Sequence, residues 1–111
     1  MHLFTIETTK SVEEVAGLDK VKFLKVIRMN LVDRVMLSSK IAHSPYKVSM
    51  IAEMIGVSYD TLNRRLNGEG KFHLFEVAGL ILVLDLTSQE IYDIFFFPYI
   101  RVIEECGVFA A

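Results

Sequence analysis

The stretch from Ser44 to Lys71, SPYKVSMIAEMIGVSYDTLNRRLNGEGK, restricts what this chain can fold into more than any other. Ser44 followed by Pro45 reads as a helix start. A serine hydroxyl can accept from free backbone N–H groups, and proline lacks the donor that the first helical position leaves unpaired anyway. The first helix is expected over Pro45 to Ile55, where Val48, Ile51, Ala52 and Ile55 recur at helical spacing and lay one apolar stripe against a core. Gly56 supplies the left-handed conformation that reverses the chain, and Val57 follows it into the core. Ser58 is then expected to cap a second helix running to about Asn67 and ended by Gly68. Its inward side holds Leu62 and Leu66; its outward side holds Tyr59, Asp60, Asn63 and Arg64.

A helix, a glycine-bearing turn and a second helix with amide, hydroxyl and guanidinium groups outside is an arrangement suited to the DNA major groove. That groove admits one helix, and such groups bond base edges or phosphates. These residues resemble the helix-turn-helix of Cro and lambda-repressor-like (XRE-type) phage regulators. The resemblance is carried by Ile51-Ala52-Glu53, by Ile55-Gly56-Val57-Ser58 and by Thr61-Leu62-Asn63-Arg64-Arg65-Leu66-Asn67-Gly68. It continues through Phe72, Glu76, the LILVLDLT run and the IYDIFF run, roughly half the chain, and is nearest to the small repressors of phages of low-GC Gram-positive bacteria. Two positions depart from the family pattern. Arg65 stands where an apolar residue is more usual, and the glutamine that commonly opens the first helix and bonds phosphate is absent.

The resemblance implies an all-α fold, a compact five- to six-helix domain, and a sequence-specific double-stranded DNA-binding protein, a phage or prophage transcriptional repressor. In that reading Tyr59, Asp60 and Asn63 meet base edges, Asp60 being suited to a cytosine amino group. Arg64 serves a base or a phosphate, while Lys47, Ser49, Ser58, Asn67 and Lys71 hold the backbone and fix the register. The alternative is a protein-binding module on the same fold, such as an antirepressor or an inhibitor of a host defence complex.

A net charge of −2 argues against DNA at first sight, but its distribution argues the other way. Residues 20–71 hold ten Lys and Arg against four Asp and Glu, a local excess of +6 between acidic ends of −3 and −5. A phosphate backbone responds to the local patch. With 52% hydrophobic residues and a mean hydropathy of +0.40, the chain has more apolar surface than an interior of its size hides easily. A homodimer is therefore expected, one that would also match a two-fold operator. Asp85 and Asp93 interrupt the longest apolar runs, which fall short of the ~18 to 20 residues of a membrane span. With no basic start leading into an apolar block and a single cysteine, Cys106, a cytoplasmic protein without a membrane partner is expected.

Residues 1–19 read as an N-terminal arm or short strand followed by a short helix, with Ser11 and Glu14 as a capping box and Gly17 as its end. The helix-turn-helix domain is expected over 20–96. It opens with a long helix from Lys20 to Ala42, with Asn30 the point at which it could break, and then the Ser44 to Lys71 stretch. A helix over Leu74 to Leu84, apolar nearly all round, is expected at the centre of the fold. Thr87 and Glu90 form a capping box for a helix over Ser88 to Phe96. Residues 97–111 are a packing or dimerisation segment, helix or strand after Pro98, with Phe96, Phe97, Tyr99, Val108 and Phe109 available to a partner or to the chain's own core. His2, His43, His73 and Cys106 are scattered without metal-ligand spacing, and no nucleophile or phosphate-loop motif occurs. No enzymatic activity, metal, cofactor or small-molecule substrate is expected.

Overall fold

A computed structural model describes residues 10–107, and all the regular structure in them is helical. Helix α1 (Val12–Ala16) starts where the Ser11 hydroxyl accepts from the Glu14 N–H at 3.2 Å. Gly17, at φ 91°, ends it and leads directly into α2 (Leu18–Ile27). The expected arm over residues 1–9, and Val108 and Phe109, lie outside the described residues.

The long helix expected over Lys20 to Ala42 is two helices, α2 and α3 (Arg34–Ala42), and the break spans Asn30. Tertiary hydrogen bonds hold the connection open. The Tyr99 hydroxyl donates to the Met29 carbonyl at 3.1 Å and accepts from the Leu31 N–H at 3.2 Å. The Asn30 amide donates to the Arg65 carbonyl at 3.1 Å. Asp33 then caps α3 by accepting from the Met36 N–H at 3.0 Å. Backbone groups that a continuous helix would have satisfied internally thus find partners elsewhere, so the break leaves few orphans.

Helix α4 (Val48–Ile55) begins three residues later than Ser44 and Pro45 led us to expect, with Lys47 at the cap position and no side-chain cap. The Ser44 hydroxyl instead donates to the Ile41 carbonyl at 2.7 Å and accepts from the Tyr46 N–H at 3.2 Å, closing the turn after α3. Helix α5 (Tyr59–Leu66) follows, then α6 (Leu74–Leu84), whose first turn is tied by the Glu76 carboxylate accepting from the His73 N–H at 2.9 Å. Helix α7 (Ser88–Ile91) carries the Thr87 and Glu90 capping box as expected. It runs through a π turn over Tyr92–Phe96 into α8 (Phe97–Glu105), so the terminal segment is helix rather than strand.

Pro98 accounts for the π turn. It has no N–H to give the carbonyl four residues back, and its ring crowds that carbonyl, so the helix widens. The carbonyl in question belongs to Ile94, which accepts instead from the Asp33 N–H at 2.9 Å. One proline therefore both widens the C-terminal helix and frees an acceptor that fastens the start of α3.

The core is built by α3 to α6 and the π turn, with Leu37, Ile51, Leu62, Leu80 and Ile94 fully buried. Helices α1, α2 and α8 contribute no buried residue; α2 packs along α8. Helices α4 and α6 cross closely at Gly79, where an added Cβ would stand 2.7 Å from Ile55 Cγ2. The interior side of α6 is the one that carries Glu76 and Leu80. The expectation of a centrally buried α6 is corrected accordingly: Glu76 and Leu80 are buried, but Leu74 and Leu82 are 82% and 78% exposed and Phe75 is exposed too. A helix that is apolar all round still turns only one side to the core, here that of Glu76 and Leu80, and Leu74, Phe75 and Leu82 on the other side face solvent. No helix among the described residues is long and apolar enough to cross a membrane.

Candidate nucleic-acid interface

The turn between α4 and α5 is built from backbone chemistry. Gly56 is left-handed at φ 87°, and its N–H and that of Val57 both donate to the Ala52 carbonyl at 3.0 Å. Ala52 is buried, and its small side chain lets α5 cross α4 closely. Ser58 caps α5, accepting from the Thr61 N–H at 3.0 Å while its own proton goes to Thr61 Oγ1 at 2.8 Å. Among the expected contact residues, Ser58 is thus the one whose hydroxyl is already engaged.

Leu62 sinks into the core and turns the opposite face of α5 outward. Tyr59, Asp60 and Arg64 are exposed on it, and Asn63 is half-buried at its edge. Asp60 and Arg64 lie one turn apart with 3.8 Å between carboxylate oxygen and guanidinium nitrogen, and both side chains remain mostly in solvent, 78% and 61% exposed. An exposed pair of that kind is weakly held, so either group can exchange its partner for a base edge or a phosphate. Lys47 and Ser49 are exposed at the start of α4, Asn67 at the end of α5, and Lys71 in the loop that follows.

Arg65 has a different task. Its Nε donates to the Lys71 carbonyl at 2.7 Å and meets the Glu76 carboxylate at 2.8 Å, and Nη1 reaches the Thr61 carbonyl at 3.4 Å. Glu76 is 1% exposed. The residue that departs from the usual apolar pattern is therefore largely interior after all, its charge matched by a buried carboxylate on α6. This pair fixes α5, the following loop and α6 to one another. No local pattern in the sequence points to this pair, whose partners lie on different helices.

Arg34 is the cation that sequence reasoning did not place here. Gly68 is left-handed at φ 90°, and a Cβ on it would meet the Arg34 guanidinium at 2.5 Å. The missing side chain lets Arg34 lie against the turn that ends α5. No local pattern links residues so far apart in sequence. Conversely, Lys20, Lys22, Lys25 and Arg28 are exposed on α2 or just after it, and α2 packs on α8, whereas α5 packs on α3 and α4. The basic middle of the sequence is thus divided in space: Arg34, Lys47, Arg64 and Lys71 are exposed on α5 and the segments around it, and Arg65 of α5 is paired with Glu76.

No family model, curated protein or solved structure matches this chain. The likeness to Cro-type regulators accordingly rests on the residues quoted from the sequence. Among the described residues, no group of three or more His, Cys, Asp and Glu is placed to hold a metal ion.

Proposed function

We propose that this protein binds double-stranded DNA sequence-specifically through α5 and acts by occupancy, as a repressor of the phage or prophage type. The observation that carries this reading is the outward presentation of Tyr59, Asp60 and Arg64, with half-buried Asn63 at their edge, on a short helix whose orientation is fixed from beneath by Leu62 and by the Arg65–Glu76 pair. A helix that reads base edges must keep its register to within a fraction of a base pair, and two anchors on its inner side serve that need. Arg34, Lys47 and Lys71 flank it as backbone contacts. The apolar surplus left on α6, at Leu74, Phe75 and Leu82, supports a symmetric dimer, which would set two half-sites about one helical turn apart, ~34 Å.

The test is a gel-shift titration of the chain against duplex flanking its own gene and against random duplex, at several salt concentrations. Tighter binding to the flanking duplex that weakens steeply with salt is expected. No shift on either duplex at the lowest salt would leave the exposed apolar face of α6 as the leading feature and favour the protein-binding reading.

A further inference from the structure

Where α2 meets the core there is an open groove of about 320 Å³, lined in part by Ile27, Val32, Phe72, Val77 and Phe95. Its volume falls at the low end of the ~300–1,000 Å³ typical of small-molecule sites. Arg28 and Lys71 are the charged residues in its lining, no carboxylate joins them, and neither makes an ion pair within the described residues. Both are exposed, as are Met29, Leu74 and Phe96 of the same lining, while Val32 and Phe95 are its buried part. We propose that this is a ligand site for an amphipathic carboxylate, its chain or ring buried among the phenylalanines and its anionic head held between Arg28 and Lys71.

The π turn places Phe95 in the lining beside Phe96, and Phe95 meets Phe72 edge-on at 6.4 Å between ring centres. Tyr99 also lines the groove and holds the α2–α3 connection by its hydroxyl, so the Met29 side cannot simply fold inward. An apolar guest gains by leaving water, and the two cations favour an anion over a neutral analogue of the same size. The Lys71 carbonyl is also the acceptor for Arg65 Nε, so a guest that moves Lys71 bears on the anchor of α5. That last consequence rests on the DNA reading proposed above; the binding itself does not.

The experiment needs no DNA. Decanoate, kept below its micelle concentration, is titrated into the full chain and followed by methyl and amide NMR, with decanol as the neutral control. Saturable shifts at Val32, Val77 and Phe72, with decanol at least tenfold weaker, are expected. The double variant Arg28→Gln, Lys71→Gln alters only exposed side chains and should weaken decanoate at least tenfold while leaving the spectrum of the fold unchanged. A second variant, Val77→Phe, should abolish the shifts by filling the space. Absence of saturable shifts at the groove overturns the proposal, as does decanol binding as tightly as decanoate or the charge-removed variant binding as well as the native chain.

Discussion

Arg65 and Glu76 show how much a single side chain decides here. The guanidinium is matched by a carboxylate that has almost no access to water, and the same nitrogen holds the Lys71 carbonyl. Removing one partner of a buried pair leaves the other charge uncompensated, which costs about 3–5 kcal/mol, whereas replacing both by apolar residues is often close to neutral. Arg65→Ala should therefore destabilise the fold by about 3 kcal/mol in urea unfolding, and adding Glu76→Gln, which removes the stranded charge but keeps an acceptor for the His73 N–H, should recover part of the loss. A double variant no more stable than the single one would show that the pair is not what ties α5 to α6. The outward residues of the same helix should behave differently. Asn63→Ala should relax preference at one or two base pairs by about 1–3 kcal/mol of discrimination, and Lys47→Ala should weaken all duplexes alike and flatten the salt dependence. Equal losses on cognate and random duplex for Asn63→Ala would remove that residue from the reading set.

At the scale of helices, the crossing of α4 and α6 at Gly79 and the start of α7 at Glu90 each carry a prediction. Alanine normally stabilises a helix interior by about 1 kcal/mol relative to glycine. At Gly79 the new Cβ would sit 2.7 Å from Ile55 Cγ2 and 3.0 Å from its Cβ, and a β-branched side chain has little freedom to yield. Overpacking costs about 1–3 kcal/mol, so Gly79→Ala should be net destabilising, and an Ile55→Ala background should turn it stabilising. Glu90 is held below its ordinary value near 4.5, chiefly by Lys40 and then by the Thr87 N–H. A carboxyl with a depressed folded pKa contributes stability that is complete above its unfolded value and is lost as the pH falls through the folded one. The difference in Tm between the native chain and Glu90→Gln should thus be largest near neutral pH and shrink in acid; a constant difference would assign Glu90 a purely geometric role. These elements also show what was legible in the residues. Local devices were readable: the Ser58 cap, the left-handed Gly56, the Thr87–Glu90 box and the apolar stripe of α4 depend on neighbours a few positions apart. The break between α2 and α3 was only half readable, because Asp33 is a local cap but Tyr99, Ile94 and Arg65 hold the connection from far along the chain. The later start of α4 has the same origin, since Ser44 was expected to cap forward and in fact bonds back to α3. In the candidate interface the outward residues of α5 followed from helical periodicity, while Arg34 did not, its position being set by a glycine in a different element.

For the whole molecule the open question is what covers its apolar surplus, and two faces compete. Helix α6 leaves Leu74, Phe75 and Leu82 in solvent, and α4, packed on it, leaves Met50 and Met54. The other face is the end of the π turn and the start of α8, with Phe96 and Phe97 exposed, whereas Tyr99 packs against the core and its hydroxyl bonds Met29 and Leu31. A two-fold interface uses the same patch on both copies, so one apolar face per chain suffices. The α4–α6 face adjoins α5, the helix proposed to read DNA, and pairing there would couple two copies of it through few intervening contacts, as register over ~34 Å of duplex would demand. Introducing a like charge on both copies at the centre of such a face costs several kcal/mol of association. If the proposed dimer forms through this face, Met54→Glu with Leu82→Glu should convert it to a monomer in sedimentation equilibrium. Affinity for a duplex with two half-sites should fall at least tenfold, while affinity for a single half-site is kept. Phe97→Glu should do neither. If the native chain sediments as a monomer throughout the micromolar range, or if Phe97→Glu alone splits the dimer, the surface of α6 must be exposed for some other partner and the symmetric operator loses its support.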